Sequence, residues 1–480
     1  MRKFLSLFLV LALATGVAPP TTVAPPTTVA PSIPDTPVGQ ALIGWLRAFD
    51  SGNRATYLAF LKSTYPSNVK RLDDDMQFRA MTGGFVVREI VTSEPTRLVA
   101  TVEDRLNEQF ATMIVETQSA APYTIKKLSL RAIATPDGLA PPAMSQSDLV
   151  AALGSKAEAE TSAGRFSGAV LVAKDGRPIF ARAYGQADRE QNIANTLETR
   201  FRVGSMDKMF TAVSVLQLAE AGKINLDAPL GTYLPDYPNK DVATQVTIAE
   251  LLDHTGGTGD IFDAQFEAHR LELRTLQDYG KLYGSRGLAF TPGSKWDYSN
   301  YGFILLGLVI EKVSGQSYYD YVRQHVCAPA GMTSTGFEPE NEAVPDRSTG
   351  YMLDPTGKLV PNTDTLPYRG TSAGGGYSTV GDLLNFANAL QQNKLLDARY
   401  TEILTTGKVD TPNGSRYAYG FEDQRFNGVR CFGHGGGAPG MNGELEICPA
   451  SGYVVAVLAN LDPPAATRIA NFVTARLPAH

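Results

Sequence analysis

The chain has 480 residues, of which 43% are hydrophobic and 19% are charged, so it can bury a full core and form two or three folding units. A net charge of −6 with only five histidines offers no basic surface for nucleic acid or for anionic membranes. These values exclude nucleic-acid binding. They leave a small molecule or a peptide as the expected partner, with the oligomeric state open.

The N-terminus has the pattern of a secretory signal peptide. Arg2 and Lys3 precede the apolar run FLSLFLVLALATGVA, which is shorter than a membrane span requires. We predict a signal peptide over residues 1–18, export to the periplasm or out of the cell, and no stable membrane span after its removal. A permanent N-terminal anchor is the alternative. Residues 19–36 contain PPTTVAPPTTVAPSIP, whose prolines favour an extended linker.

Residues 37–140 predict a small α+β accessory domain. Two helical patterns, VGQALIGWLRAFDSG and RATYLAFLKS, precede four strand-like segments with period-two alternation. This order resembles the architecture of nuclear-transport-factor-2-like (NTF2-like) or cystatin-like domains, without a motif in support. The segment holds no compact set of catalytic residues, so we expect a spacer or an accessory binding module. The loop PDGLAPPAMS marks its boundary with a second domain over residues 145–480.

The stretch GSMDK contains Ser205 and Lys208 at the start of an apolar helical pattern. A helix N-terminus favours negative charge developing on a serine oxygen, and a lysine one turn later can accept or direct its proton. The same spacing also suits an ordinary helix cap followed by a solvated lysine. A second Ser-x-x-Lys, Ser67 with Lys70, lies among polar residues and shows this structural alternative.

Two further motifs supply what acyl transfer needs beside such a pair, a second acid/base group and an oxyanion site. Tyr298 and Asn300 lie in YSN, directly before the apolar helix YGFILLGLVIEKVSG, whereas Tyr237 has the same spacing to an asparagine in a proline-rich loop. The glycine-rich stretch HGGG begins at His434 between two strand-like segments, where backbone N–H groups can face a substrate. His254, followed by Thr and Gly at a helix end, is interpreted as structural.

The three motifs form an ordered set that resembles the penicillin-recognising serine enzymes, in particular the family of class C β-lactamases, D-alanyl-D-alanine carboxypeptidases and their esterase-like relatives. The segments LLDHTGG, PGSKWDYSNYGFILLG, AGGGYSTVGDLLNF and GHGGGAPGMNG add to the resemblance, whereas the rival pattern G-x-S-x-G is absent. The motifs are Ser205-x-x-Lys208, Tyr298-x-Asn300 and His434-x-Gly436. The implied fold is mixed α/β (α+β), an antiparallel sheet flanked by helices with a mainly helical region around 220–370.

The resemblance also implies roles for these residues. Ser205 would be the nucleophile, Lys208 and Tyr298 the acid/base groups, and which of the two takes the first proton stays open. Asn300 would orient Lys208 and the substrate. The remaining implied binding and oxyanion positions are His434, Gly436 and Gly437, with the N–H groups of Ser205 and Gly437 forming the oxyanion hole.

The histidine at position 434 departs from the family pattern, which usually has lysine there. Histidine is mostly neutral at pH 7 and suits a substrate carboxylate less well than lysine does. Esters and neutral amides are therefore favoured over β-lactams and peptidoglycan stems, unless another cation such as Arg369 compensates.

Cys431 and Cys448 flank the HGGGAPGMNG loop and lie opposite one another if their segments pair as strands. They form either a disulfide or two buried small side chains, and a disulfide would leave Cys327 free. The five histidines show no metal-ligand spacing, and we expect neither a metal nor a cofactor.

These observations predict an exported serine hydrolase that cleaves an ester or amide through a Ser205 acyl-enzyme. Two alternatives remain. One is a β-lactamase or a D-amino-acid-specific peptidase or carboxypeptidase, and the other is a catalytically silent binding protein on the same fold.

Overall fold

A computed structural model of the chain describes residues 31–354, 357–412 and 414–478. The predicted signal peptide and most of the predicted linker lie outside the described residues. No helix in the described part of the chain combines the length and the apolar character needed to cross a membrane.

The N-terminal part is a small α+β unit with its own core. Three helices cover a four-stranded antiparallel sheet whose strands follow one another in chain order. Buried Trp45 and Phe49 on the first helix stack against each other and against Phe85 of the sheet. The elements are α1 (Pro37–Asp50), α2 (Arg54–Thr64), a 3-10 turn (Pro66–Arg71), α3 (Leu72–Thr82), β1 (Phe85–Ser93), β2 (Arg97–Asp104), β3 (Phe110–Thr117) and β4 (Ile125–Ile133).

The larger part, from residue 146 onward, is built on an eight-stranded sheet. Its strand order is β13-β14-β15-β16-β17-β18-β5-β6, and every neighbouring pair is antiparallel. Three two-stranded pairs accompany it, β7 with β8, β9 with β12, and β10 with β11. The strands are β5 (Gly168–Lys174), β6 (Arg177–Tyr184), β7 (Gln186–Asp188), β8 (Ile193–Ala194), β9 (Phe201–Arg202), β10 (Tyr351–Leu353), β11 (Leu359–Pro361), β12 (Tyr377–Ser378), β13 (Val409–Asp410), β14 (Arg416–Tyr417), β15 (Glu422–Phe426), β16 (Val429–Ala438), β17 (Met441–Cys448) and β18 (Tyr453–Ala459).

Helices cover both faces of this sheet. A mainly helical region lies in the chain between Ser205 and His434, and it includes the segment that carries Tyr298. The helices are α4 (Gln146–Ser162), α5 (Asp207–Glu220), α6 (Lys240–Gln245), α7 (Ile248–Leu252), α8 (Ala264–His269), α9 (Leu276–Tyr283), α10 (Asn300–Ser314), α11 (Tyr318–Val322), α12 (Ala328–Ala330), α13 (Val380–Gln391), α14 (Ala398–Thr405) and α15 (Ala465–Thr474). A π-helical turn (Arg323–Cys327) and 3-10 turns (Gly204–Met206, Leu230–Thr232, Thr363–Thr365, Pro449–Ser451) complete the set.

The central strand β18 shows why the sheet needs both layers. Its sequence YVVAVLA is apolar at every position, and every residue is buried. Val454, Ala456 and Leu458 join the core that contains α5 and α10, whereas alternate residues join a second core with α4 and α15. A strand that is buried on both faces has no solvent-facing side, so its sequence does not alternate between apolar and polar residues. The predicted fold class, an antiparallel sheet flanked by helices beside a mainly helical region, is confirmed.

Strands β16 and β17 are joined by a disulfide between Cys431 and Cys448. The two strands pair from Phe432 with Ile447 onward, which places the cysteines opposite each other at the end of the ladder. Cys327 is a buried free thiol. The covalent link holds together the two strands that present the glycine-rich motif.

Arg468 on α15 connects the N-terminal unit to the larger part. Its buried guanidinium donates to Asn107 Oδ1 at 3.0 Å, to Glu160 Oε2 at 3.2 Å and to the Met81 carbonyl oxygen at 3.3 Å. Asn107 and Met81 belong to the N-terminal unit, whereas Glu160 belongs to α4. The Arg468 side chain therefore links α15 to α3, to the loop between β2 and β3, and to α4.

We expect Arg468→Met to lower the free energy of unfolding by about 2–4 kcal/mol, because it leaves buried acceptors without a donor. Thermal denaturation followed by circular dichroism measures the effect, with Arg425→Met as a control on an exposed arginine. An unchanged melting temperature for Arg468→Met would show that this contact does not hold the two parts together.

Candidate active site

Ser205 lies in a 3-10 turn, Gly204–Met206, that leads directly into α5. Helix α5 is buried along almost its whole length, so the turn before it is held rigidly. Ser205 Oγ is 3.2 Å from Lys208 Nζ, one turn along the chain. The structure thus brings the predicted pair into hydrogen-bond contact, with Ser205 just before the helix rather than inside its first turn.

Lys208 is completely buried and has three oxygen neighbours. Its Nζ donates to Asn300 Oδ1 at 2.7 Å and to the Ala373 carbonyl oxygen at 2.5 Å, and it lies near Ser205 Oγ. Burial lowers the pKa of Lys208 to about 7, against the opposing influence of Asp260 and Asp207. A neutral amine has two N–H bonds for the two strong acceptors, so its lone pair is left for the Ser205 hydroxyl.

Asn300 is oriented by Asp260, a residue that the sequence analysis did not single out. Asn300 Nδ2 donates to Asp260 Oδ1 at 2.9 Å, and the Asn300 backbone N–H donates to the same oxygen at 3.3 Å. This fixes the amide so that its oxygen faces Lys208. Asp260 therefore acts on Lys208 in two ways, through Asn300 and through its own charge.

Tyr298 lies on the loop that precedes α10, and the helix is capped by the Ser299 hydroxyl, which accepts from the Gly302 N–H at 2.9 Å. Tyr298 lines the same cavity as Ser205, and Lys208 Nζ lies 4.7 Å from the centre of the Tyr298 ring. Burial raises the pKa of Tyr298 above its ordinary value, with Glu422 and Asp260 adding to the shift. The phenol is therefore protonated at neutral pH.

His254 packs directly behind Tyr298. The ring centres are 4.2 Å apart, and His254 Nδ1 accepts from the Ser299 backbone N–H at 3.1 Å. Its Nε2 has no hydrogen-bond partner among the described residues. Burial lowers the pKa of His254 well below its usual range, so the ring is neutral. This buried histidine holds the loop that carries Tyr298.

We expect His254→Ala to lower kcat for ester hydrolysis roughly tenfold and to lower the melting temperature, because it leaves a cavity behind Tyr298 and an unpaired Ser299 N–H. Steady-state kinetics and thermal denaturation measure the two effects. His269→Ala, on an exposed histidine, is the matched control. Unchanged kcat in His254→Ala would remove the positioning role of this ring.

His434 lies on β16 and is buried. Its Nε2 is 2.9 Å from the Tyr417 hydroxyl, and its Nδ1 contacts the Gly435 carbonyl oxygen. Burial, together with the charge of Lys208, lowers the pKa of His434 to about 3. The ring is therefore neutral at physiological pH and supplies no positive charge to the site.

The glycines of β16 allow the Ser205 turn to pack against bare backbone. A Cβ on Gly436 would lie 1.9 Å from the Val203 carbonyl oxygen and 3.1 Å from the Ser205 nitrogen. A Cβ on Gly204, whose φ is +55°, would lie 2.9 Å from the Gly437 nitrogen. Larger residues here would push the turn away from the strand. The contact brings the nitrogens of Ser205 and Gly437 into one small region, as an oxyanion hole requires.

A cavity of about 320 Å³ lies over these residues. Five of the residues that line this cavity are among the site residues predicted from the sequence. The predicted residues Lys208 and Asn300 lie behind Ser205 and do not line the cavity. A second cavity of about 240 Å³ shares Tyr298 and Glu422 with the first. The residues that line the first cavity are Ser205, Tyr298, Glu422, His434, Gly435, Gly436, Gly437, Asn442 and Glu444.

The rival motifs lie elsewhere. Ser67 and Lys70 are exposed on the N-terminal unit, in the 3-10 turn after α2. Tyr237 is buried in the helical region, where its hydroxyl is 3.1 Å from the Tyr301 hydroxyl. Arg369 donates to the Phe337 carbonyl oxygen and stacks on Tyr319, and it lines neither cavity. It therefore does not replace the missing cation at position 434.

The segment AGGGYSTVGDLLNF, which belongs to the resemblance, contributes backbone contacts whose roles its sequence does not predict. Ala373, which accepts from Lys208, belongs to the AGGG segment, and Gly375 and Gly376 from the same segment bond to the Gly204 carbonyl oxygen and to Asp207. The run of three glycines in this segment is the feature of the sequence that could have indicated a close backbone contact. Among residues 31–354, 357–412 and 414–478, no group of three or more His, Cys, Asp or Glu side chains is arranged to hold a metal ion.

Fold and site together define a serine hydrolase. Residues 150–479 match the profile of the Beta-lactamase family, and the chain belongs to this family. It is 31% identical to PbpX of Bacillus subtilis, a protein named for penicillin binding, over 294 residues that make up 61% of this chain and 70% of PbpX. It is 36% identical to esterase EstB of Burkholderia gladioli over 198 residues, 38% of this chain and 50% of EstB.

Solved structures agree with the family. The crystal structure of a penicillin-binding protein from Bacillus halodurans superposes with a TM-score of 0.61 at 34% sequence identity. The match covers 65% of this chain and 97% of the other. The resemblance predicted from the three motifs is confirmed.

Proposed function

We propose that this serine hydrolase cleaves an ester or a neutral amide through an acyl-enzyme on Ser205. The observation that carries the proposal is the contact between Ser205 Oγ and the completely buried amine of Lys208, whose other two oxygen neighbours are fixed acceptors. A serine is activated when a neighbouring base holds its proton. Lys208 is oriented to do so.

The proposed reaction proceeds in two stages. Ser205 Oγ attacks the substrate carbonyl carbon while its proton passes to Lys208 Nζ, and the oxyanion is held by the N–H groups of Ser205 and Gly437. The bond to the leaving group then breaks, the leaving group takes the Tyr298 phenol proton, and the protonated Lys208 replaces that proton on Tyr298. Water next attacks the carbonyl carbon of the acyl-enzyme and gives a proton to Lys208. The bond to Ser205 Oγ breaks, Ser205 Oγ takes this proton back, and the acid is released.

The protonation states favour Lys208 as the first base. The pKa of Lys208 is lowered to about 7 by burial, so a large share of the amine is neutral at neutral pH. The pKa of Tyr298 is raised by burial, so the phenol keeps its proton. A neutral amine can accept the Ser205 proton, whereas a phenol can only donate one. Tyr298 therefore serves as the donor to the leaving group.

The charges in the cavity favour substrates without a carboxylate near the reacting carbonyl. His434 is neutral, because burial lowers its pKa to about 3. Glu422 and Glu444 also line the cavity, whereas Arg369 does not. β-Lactams and D-amino-acid peptides with a free carboxylate are therefore less suitable than esters and neutral amides. The 36% identity to an esterase over part of the chain supports the ester.

Three measurements would test this function: turnover of p-nitrophenyl butyrate, turnover of a chromogenic cephalosporin, and labelling by a fluorophosphonate. We expect ester turnover to exceed cephalosporin turnover, and we expect the label on the peptide that contains Ser205. Faster cephalosporin turnover would instead assign a β-lactamase. Absence of turnover and of labelling would leave a catalytically silent binding protein.

Export is part of the proposal and rests on Arg2, Lys3 and the apolar run that follows. Expression in a bacterial host with fractionation of periplasm and medium tests it. Mass spectrometry of the N-terminus of the exported chain would show cleavage after a small residue near position 18. A chain that stays in the cytoplasm with Met1 intact would contradict export.

A further inference from the structure

One wall of the catalytic cavity carries two carboxylates, Glu422 and Glu444. Glu422 lies opposite Gly433 in the pairing of β15 with β16, and Glu444 lies opposite Gly435 in the pairing of β16 with β17. Directly opposed residues of antiparallel strands share a face of the sheet. Both carboxylates therefore lie on one face, beside positions of β16 that have no side chain.

The bare backbone of β16 makes Glu444 accessible from the cavity. A Cβ on Gly435 would lie 2.8 Å from each of the two Glu444 carboxylate oxygens. In addition, β15 pairs with β16 only as far as Gly433, so the edge of β16 that faces away from β17 is not paired beyond that residue by any described strand. The cavity thus extends from Ser205 along this open edge to the two carboxylates.

A third carboxylate, Glu446, lies on the same face opposite Gly433. It is only 5% exposed, and its Oε1 accepts from Gln424 Nε2 at 2.6 Å. Its Oε2 has no hydrogen-bond partner in the described part of the chain. A buried, unpartnered carboxylate oxygen is costly unless a donor or a cation reaches it.

No cation of the described protein balances these three carboxylates. Glu444 Oε1 accepts from the Thr467 hydroxyl at 2.6 Å, and Glu422 is hydrogen-bonded to Ser415. Both partners are neutral. Burial raises the pKa of Glu444 to about 8 and also raises that of Glu422, and Glu422 further raises the pKa of Glu444 by repulsion. Glu444 is therefore mostly protonated at neutral pH without a nearby cation, and a cation from outside would stabilise its ionised form and relieve both the burial cost and the repulsion.

The cavity favours an organic cation over a metal ion. These three carboxylates do not form a group that could hold a metal among the described residues. The cavity is shared with Ser205, so its occupant is part of the substrate. We propose that Glu422 and Glu444 form a binding site for a protonated amine, and that the preferred substrates are esters or amides that carry an ammonium group.

The register of β16 sets the expected length of the substrate arm. Gly437, which we assign to the oxyanion hole, and Gly435, which faces Glu444, are two residues apart, or roughly 7 Å along a strand. A charge-assisted hydrogen bond to the carboxylate spans about 2.8 Å. An ammonium group on a flexible arm roughly four to six bonds from the carbonyl carbon therefore reaches Glu444.

The test compares two esters of equal chain length. The acyl chain of p-nitrophenyl ε-aminocaproate ends in an ammonium group, whereas that of p-nitrophenyl heptanoate ends in a methyl group. The measured quantity is the ratio of their kcat/KM values in the wild-type protein, in Glu444→Gln and in Glu422→Gln. Glu402→Gln, on an exposed glutamate of α14, is the matched control. Heptanoate turnover in each variant reports whether its active site is still folded.

We expect the ratio to fall at least tenfold in Glu444→Gln and in Glu422→Gln, and to stay within about twofold in Glu402→Gln. An unchanged ratio in both cavity variants would overturn the ammonium site while leaving the hydrolase function intact. Because this inference rests on the proposed function, loss of turnover of both esters by the wild-type protein would overturn the two together.

Discussion

Replacing Ser205 by alanine is expected to lower kcat/KM for a p-nitrophenyl ester by at least about 10³-fold and to abolish labelling by a fluorophosphonate. The change removes the oxygen that we propose as the nucleophile. It leaves the fold intact, because Ser205 is only partly buried at the cavity and α5 begins after it. Ester turnover and intact-protein mass spectrometry measure the two effects.

Ser67→Ala is the matched control for this variant, since Ser67 belongs to the second Ser-x-x-Lys and is exposed on the N-terminal unit. We expect it to retain wild-type turnover and labelling. A large loss in Ser67→Ala, or full turnover in Ser205→Ala, would place the nucleophile elsewhere.

The second large effect is expected for Lys208→Met, which keeps an unbranched side chain one atom shorter but removes the amine. We expect kcat/KM to fall by about 10²–10⁴-fold, the usual contribution of a general base. Lys208 also donates to Asn300 and Ala373, so the variant loses two buried contacts as well. Lys70→Met, on the exposed lysine of the second motif, is the control.

The pH dependence gives a sharper test of the same residue. The base is active when Lys208 is neutral, and burial lowers its pKa to about 7. The value of kcat/KM should therefore rise with pH and reach half of its plateau near pH 7, and this limb should be absent in Lys208→Met. Activity that falls through this range as pH rises would mean that the charged form is required.

The motifs made the centre of the site predictable. Ser205, Lys208, Tyr298 and His434 occur in short patterns whose order along the chain distinguishes them from the copies at Ser67, Tyr237 and His254. Each motif of this ordered set adjoins a long apolar helix or a strand, and this support is visible in the sequence as hydrophobic periodicity. The structure brings these residues together.

The supporting residues could not be predicted in the same way. Asp260, which orients Asn300, and Ala373, which accepts from Lys208, lie on loops far from their partners in the chain. Their proximity follows from packing of the helical region on the sheet. The sequence indicates a structural role for His254, but its contact with Tyr298 depends on the path of the loop before α10.

The glutamates of β17 show most clearly what a sequence pattern does not reveal. In the strand NGELEIC, Glu444 and Glu446 alternate with apolar residues, a pattern typical of a strand with one solvent-facing side. The structure instead covers that face with α15, whose Thr467 contacts Glu444. Periodicity reports which residues share a face, but it does not report what covers the face.

The sequence by itself determined the family and the mixed α/β class and pointed to the candidate reacting groups, because short motifs and hydrophobic periods are local properties of the chain. Only the tertiary structure decided the protonation state of Lys208, the neutrality of His434 and the exposure of Glu422 and Glu444 to the cavity. These properties depend on burial and on charges contributed by distant segments, which exist only once the sheet and its helices have packed.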